Sequence, residues 1–443
     1  MKTIIETAHG KVKGEKRQEG YIYHSVPYAK TERFTDPKPY NWHDVFDATK
    51  KQVNCHQRFE YVDEAAENGF YYREFDYMRD SDYSESPMTM TIITPLEGEK
   101  LPVVAYVHGG SFENGCIEDM PFGDSFEYAK RGIILVSIGY RLNVFGLYDT
   151  GNYGLKDQVF AIDWLKENIS AFGGDGEHII LMGQSAGAMC ITDLLNSEVL
   201  EGKIKGAVLM SGGGVLPKIA GAATQQENHP FWLKVMEEAG CENEEQLKAV
   251  GPKTLWQAWY NVSRNKKYAN MHTMQPGVDG KFITETPQAV YKKLEDIDVP
   301  LMIGITSQDM LPFMILGMGL KWGVRNAKHN RSKVYGYLYD HTMPGEVYKA
   351  YHAADLWFMF GNLKKCWRPL TDVDYQLSKK MIDYNANFIK TLNPNGVGLE
   401  RWPAIDKGMK KYRYFGDDER VLIGPMAIRK KLFHTMFKDK GPI

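Results

Sequence analysis

The apolar run His178-Ile179-Ile180-Leu181-Met182 opens directly into Gly183-Gln184-Ser185-Ala186-Gly187-Ala188. Strand, G-x-S-x-G and helix former follow one another in the order that a nucleophile elbow requires. The segment constrains the fold because a serine on so tight a turn needs a buried strand ending at a sheet edge and a helix folding straight back. Gly183 and Gly187 leave room for the backbone to pass closely. The Ser185 hydroxyl then stands at the C-terminal edge of the sheet, before a helix N-terminus whose dipole favours developing negative charge. In a chain with 42 glycines the five-residue pattern alone says little. The strand before it and the small residues after it give it meaning.

The rest of the chain supplies a sheet of the right kind. Short apolar, β-branched runs stand at Val103–Val107, Ile133–Ile138, His178–Met182, Ala207–Met210, Pro300–Ile305 and Val334–Leu338. Helical patterns at Leu155–Ile169 and Ala186–Leu195 lie between them, and another at Tyr375–Leu392 follows the last. Buried runs alternating with helices predict an α/β fold, a largely parallel sheet covered on both faces. Ile4–Thr7, Lys11–Gly14, Tyr21–His24 and Thr89–Thr94 are expected as short antiparallel strands at its edge. No repeat or linker divides residues 1–443, so one catalytic domain is expected. Two segments interrupt the pattern, 67–86 (acidic, Tyr/Phe-rich) and 215–298 (helical, without a convincing strand), and both are expected as cap insertions.

Composition narrows the function. At 443 residues the chain is about three times a typical ~150-residue domain, enough for a sizeable core. A hydrophobic share of 43% and a charged share of 25% are those of an ordinary globular enzyme. A formal net charge of −2 excludes a protein built mainly to grip nucleic acid. The start of the chain has no apolar stretch suited to a secretory signal. The longest apolar run, Met310 to Leu320, is short of the roughly 20 residues that span a bilayer. Five scattered cysteines without a CxxC pair argue against a disulfide framework or a zinc site. A cytoplasmic location without a membrane span is expected.

A second strand, Val103 to Val107, runs into His108-Gly109-Gly110, an oxyanion-loop signature. Adjacent glycines let the chain turn backbone N–H groups toward one point. The amides of Gly109, Gly110 and Ala186 are thus candidate donors to the oxygen that becomes negative when a serine attacks a carbonyl, each worth on the order of 10²–10³ in rate. Serine needs a base, and the base needs an acid to orient it. On this architecture acid then histidine follow the serine, each past the C-terminal end of a later strand. Asp309 meets that condition, whereas Asp296 and Asp298 precede their strand. For the base, His341 and His352 both follow Val334–Leu338, and position alone does not separate them.

These residues resemble the type-B carboxylesterase family, α/β-hydrolases that include cholinesterases and bacterial para-nitrobenzyl esterases. The likeness runs from Thr7–Gly14 and Val26–Ala29 through His108–Phe112, Gly139–Leu142 and Gly151–Gln158 to Phe172–Asp175 and the serine elbow. Late in the chain His352–Gly361 resembles the block with the family's histidine, and Asn393–Gly396 with Trp402-Pro403 resembles its C-terminal signature. The resemblance implies the α/β-hydrolase fold, Ser185 as nucleophile, His352 as base, and Gly109, Gly110 and Ala186 as oxyanion donors. Asp309 stands where the family mostly has glutamate. Gln184 and Asp355 also stand where Glu is frequent, and with Ser211 they are expected as a buried network behind the histidine, the alternative for Asp355 being a helix cap. Ser84-Glu85-Ser86-Pro87-Met88 replaces a cysteine-bearing stretch of secreted relatives, which leaves Cys55 without the partner the resemblance implies.

The expected activity is hydrolysis of a carboxylic ester through an acyl-enzyme, with no metal or organic cofactor. An amidase or thioesterase would use the same site, and a cholinesterase-like binding domain would keep only the fold. Phe70–Tyr77 and the Met-rich Met310–Met318 segment predict an apolar, ring-lined pocket for a small uncharged or aromatic ester. The basic stretch Arg429–Phe433 is expected as a C-terminal helix with its charges outward, in preference to a membrane-surface element. Oligomeric state has no signature in the sequence.

Overall fold

The computed structural model describes residues 2–423 other than 52, 62–69, 76–81, 117–122, 216–222, 271, 409–410 and 417–419. The stretch Arg429–Phe433 lies wholly outside the described residues, as do 67–69 and 76–81 of the 67–86 segment and 216–222 and 271 of the 215–298 segment.

Eleven strands make the principal sheet. In chain order they are β1 (Glu15–Lys16), β2 (Gly20–Pro27), β3 (Thr89–Pro95), β4 (Leu101–Val107), β5 (Ile134–Ile138), β6 (Gly174–Gln184), β7 (Gly206–Met210), β8 (Leu301–Thr306), β9 (Val334–Tyr339), β10 (Lys411–Phe415) and β11 (Arg420–Ile423). Across the sheet they run β11-β10-β9-β8-β7-β6-β4-β5-β3-β2-β1. From β10 to β5 every neighbouring pair is parallel. Antiparallel strands close both edges.

Period-2 geometry explains why the central strands read as unbroken apolar runs. Ile179 and Leu181 of β6, with Val103, Ala105 and Val107 of β4, enter one core. Ile180 and Met182, with Val104 and Tyr106, enter the other. Each face is covered by helices, so both sets must be apolar. The first core takes the buried faces of helices Tyr153–Asn168, Ala186–Leu195 and Pro312–Lys328, and the second those of Asp355–Phe360 and Asp372–Thr391. Helix Asp372–Thr391 starts from a capping box in which Thr371 and Asp374 satisfy each other's backbone N–H groups.

Two expectations about strands are corrected. Ile4–Thr7 and Gly10–Lys13 are not at the edge of the principal sheet. They form a hairpin, and Phe46–Asp47 adds beside it to make a separate three-stranded sheet. Strands β10 and β11 have no counterpart in the sequence reading, because the interrupted pattern Lys411-Tyr412-Arg413-Tyr414-Phe415 hides a buried guanidinium. Arg413 is 1% exposed and donates to Glu400 at 2.6 Å. The 215–298 segment is helical as expected, with helices Gln225–Glu238, Glu244–Ala249, Pro252–Ser263 and Pro287–Lys293.

Candidate active site

Strand β6 ends at Gln184 and the next helix begins at Ala186, so Ser185 alone makes the turn. Its backbone takes φ 53°, ψ −124°. That conformation costs a non-glycine residue on the order of 1–3 kcal/mol and persists only where the surroundings enforce it. Here the Ser185 N–H donates to the Met210 carbonyl at 2.8 Å, and its carbonyl accepts from the Met189 N–H at 3.0 Å. A Cβ on Gly183 would lie 2.7 Å from the carbonyl carbon of Gly187, and one on Gly187 would lie 2.1 Å from the Val107 carbonyl oxygen. Both glycines of the motif are thus needed for close packing of strand, helix and the loop that follows β4.

Asp309 follows β8 by three residues and is 6% exposed. Its Oδ1 accepts from the Met310 N–H at 2.8 Å and from His352 Nδ1 at 2.9 Å, and its Oδ2 accepts from the Thr306 hydroxyl at 3.1 Å. Burial works to raise the Asp309 pKa, but the His352 charge, these hydrogen bonds and the nearby Ser211 hydroxyl outweigh it and hold the carboxyl below its ordinary value. Ser211 is itself at φ 53°; its N–H donates to the Gly304 carbonyl at 2.9 Å, while its hydroxyl forms no hydrogen bond of normal geometry among the described residues.

His352 lies between β9 and helix Asp355–Phe360. Burial lowers its pKa, while the Asp309 charge and hydrogen bond, with the Asp355 charge behind them, raise it above 6.5 on balance. Ionised Asp309 can only accept, so the ring proton sits on Nδ1 and the neutral ring presents Nε2 as an acceptor. The Gln184 carboxamide Nε2 is 3.1 Å from that atom and donates to it. Among the described residues, no hydrogen bond joins the Ser185 hydroxyl to the ring. Asp355 is fully buried, accepts from the Tyr337 hydroxyl at 2.7 Å, and is pushed up to about 6 by burial. It also opens its helix, so it stands at a helix start and faces the imidazole electrostatically at once.

The other histidine candidate is elsewhere. His341 Nε2 is 2.7 Å from Asp374 Oδ1, inside the capping box of helix Asp372–Thr391. His108 is buried with Nδ1 donating to the Gly109 carbonyl at 2.9 Å, and burial pushes it down to about 4. It stacks on Tyr140, whose hydroxyl donates to the His108 carbonyl at 2.8 Å. Among the described residues, the backbone N–H groups of Gly109, Gly110 and Ala186 donate to no acceptor.

Ser185, Ala186, Ser211, Asp309 and His352 line one cavity of about 290 Å³. Phe112, Met189, Leu311, Ile315 and Met318 form apolar wall, Met274 and Gln275 enter from the 215–298 segment, and Glu113 adds a carboxylate paired with Arg264 at 2.6 Å. Of the two segments expected to line the pocket, Met310–Met318 contributes and the described part of Phe70–Tyr77 does not. The Phe70 ring packs edge-on against Tyr348 and Tyr351 instead. A larger concavity, about 590 Å³ between Lys333, Trp402 and Lys411, holds none of these residues. Among the described residues, no group of three or more His, Cys, Asp or Glu side chains is placed to hold a metal ion. Sequence reasoning missed Thr306, Tyr337 and the Met310 amide. Thr306 carried a signal, a hydroxyl closing an apolar strand three residues before an acid.

A parallel sheet of this strand order, with the serine on the turn after its central strand, is the α/β-hydrolase fold. A solved structure of PNB esterase shares it with a TM-score of 0.79 at 25% identity, over 98% of this chain and 100% of that one. A carboxylesterase of Geobacillus stearothermophilus shares it with a TM-score of 0.80 at 25% identity, over 97% and 100%. The chain belongs to the carboxylesterase family, whose model matches residues 1–321 and 314–424. It is 28% identical to para-nitrobenzyl esterase of Bacillus subtilis (strain 168) over 99% of each chain, and 27% identical to cocaine esterase of Homo sapiens over 86% of this chain and 81% of that one. It is a carboxylic ester hydrolase. No helix among the described residues is long and apolar enough to cross a membrane.

Proposed function

We propose that the chain cleaves small, uncharged carboxylic esters in two steps at Ser185. Its Oγ bonds to the ester carbonyl carbon as its proton passes to His352 Nε2, and the imidazolium returns that proton to the departing alcohol. Water, deprotonated by the same ring, then releases the acid and restores the serine. Asp309 fixes the ring tautomer, and the amides of Gly109, Gly110 and Ala186 receive the oxyanion. The observation that carries this reading is the 2.9 Å contact of His352 Nδ1 with Asp309 beside the same cavity as Ser185. Segments 67–86 and 215–298 are proposed as caps, the second supported by Met274 and Gln275 in the cavity wall. Five free thiols agree with a cytoplasmic setting. An ester leaving group is favoured over an amine or thiol by the names of the two relatives.

The test is an acyl-chain series of p-nitrophenyl esters against the matching anilides and thioesters, with Ser185→Ala, His352→Ala and fluorophosphonate labelling. Either substitution should lower turnover by about 10⁴–10⁶, Ser185→Ala should abolish labelling, and short or aromatic acyl esters should be the best substrates. Folded wild type that takes no label, or a preference for charged or very long acyl chains, would count against the proposal.

A further inference from the structure

The base assigned above is already occupied. Gln184 directly precedes the nucleophile, and its carboxamide N–H fills the one lone pair, on His352 Nε2, that must accept the Ser185 proton. The other end of the same amide is fixed as well. Gln184 Oε1 lies only 2.8 Å from where a Cβ of Gly109 would stand, so the carboxamide is wedged between the oxyanion loop and the imidazole. Gln184 is 3% exposed and the His352 side chain 11%, which leaves water little access to either.

We propose that Gln184 is a positioning residue for the base: its wedged amide N–H holds the neutral imidazole in place at rest and yields the Nε2 lone pair to the Ser185 proton during attack. The inference rests on the reading of His352 as base. As Ser185 Oγ bonds to the carbonyl carbon, its proton moves to Nε2, which becomes a donor. An N–H facing it is then repulsive, so an amide held in this orientation favours the neutral ring over the imidazolium. No redox or additional reactant enters the step.

A consequence follows for the operating pH. The groups acting on the ring are Asp309 on Nδ1, Asp355 with the Tyr337 hydroxyl, and Gln184 on Nε2, with Ser185 lining the same cavity and Ser211 beside Asp309. Tyr71 lies near Asp309, and Glu113, neutralised by Arg264, lies on the cavity wall. Gln184 is the group that favours the neutral ring at Nε2. Replacing it by Met keeps the bulk and removes that preference. Replacing it by Glu reverses the preference, because a carboxylate stabilises the imidazolium.

The experiment measures kcat/KM for p-nitrophenyl acetate and the rate of fluorophosphonate labelling between pH 5 and 9 on wild type, Gln184→Met and Gln184→Glu, each first shown to be folded by its Tm. The midpoint of the acid limb should rise in the order wild type, Met, Glu. The last step should be about 1–3 pH units, as for a new charge beside a titrating group. In Gln184→Met, kcat should fall about tenfold with KM nearly unchanged, the split expected for a mispositioned base. Coincident limbs in all three proteins, or a Met variant titrating below wild type, would overturn the inference, and if the Glu variant does not fold the Met comparison decides. Should His352→Ala keep full activity, the underlying assignment of the base fails instead.

Discussion

Gly109→Ala is a small change that presses directly on the nucleophile turn. An added Cβ would stand 2.7 Å from the Gln184 carbonyl oxygen, 2.8 Å from Gln184 Oε1 and 3.0 Å from Ser185 Cβ, where ordinary contact starts at 3.4 Å. The carbonyl belongs to β6, which is locked in register with β7 at Gln184–Met210, so the loop must yield. A retreat of about 0.7 Å carries a donor amide from about 2.9 Å to about 3.6 Å from an oxyanion, beyond hydrogen-bond range. One lost donor costs on the order of 10²–10³ in kcat, about 2.7–4 kcal/mol. KM should change little, since the ground-state carbonyl carries less charge than the transition state. Gly132→Ala is the control: Gly132 has φ +67° with nothing within 4 Å of its added Cβ, so it should lose about 1 kcal/mol of stability and no activity. The assay is kcat and KM on p-nitrophenyl acetate with Tm for both variants. A Gly109→Ala enzyme retaining kcat within about threefold would refute the proposed oxyanion role of this loop.

Asp309→Asn removes the charge that holds the His352 pKa up, so the acid limb of kcat/KM should move to lower pH while kcat drops by roughly 10⁴. A pH–rate profile whose limb stays or moves up contradicts the pairing. His341→Ala should leave kcat nearly unchanged but cost about 1–3 kcal/mol in urea unfolding, since it strips a hydrogen bond from buried Asp374. Collapse of activity in a folded His341→Ala protein would reassign the base. Arg141→Met should destabilise by about 3–5 kcal/mol, because Asp157, 0% exposed, would keep its charge and lose a two-pronged partner at 2.7 and 2.9 Å. Unchanged unfolding would mean that this pair carries little weight.

What was legible in the sequence followed from one-dimensional regularities. Strands buried on both faces must be apolar at every position, so β4 to β9 stood out. A serine elbow needs glycines at fixed offsets, so Ser185 stood out too. The family motifs proved partly architectural: Arg141 and Asp157, quoted with the resemblance, form a buried ion pair remote in chemistry from ester cleavage. Other features were hidden because they depend on partners far along the chain. β10 carries Arg413 in its middle, and only the distant Glu400 makes that arginine compatible with a buried strand. The aromatic segment at 70–77 is expected as pocket lining, yet rings are as readily satisfied by other rings, and in its described part the Phe70 ring packs on Tyr348 and Tyr351. His341 and His352 were equivalent by position and differ only in which acid each meets, Asp374 or Asp309.

That difference between acids extends to the two carboxyls around the imidazole. Asp309 and Asp355 are both buried, so burial alone would raise both. Asp309 receives an amide N–H, a threonine hydroxyl and the ring N–H, and ends below its ordinary value. Asp355 receives the Tyr337 hydroxyl on one oxygen, has no side-chain partner for the other among the described residues, and is pushed up to about 6. Their effects on stability therefore have opposite signs. The Asp309 contribution is present above the unfolded pKa and lost as pH falls through its depressed folded value, whereas that of Asp355 is present at low pH and lost as pH rises through about 6. Environments that drive two neighbouring carboxyls apart also divide their roles. The acid kept ionised is the one that can hold a ring tautomer throughout turnover. The other adds negative charge behind the ring above pH about 6, where that charge strengthens the imidazole as a base without contacting it.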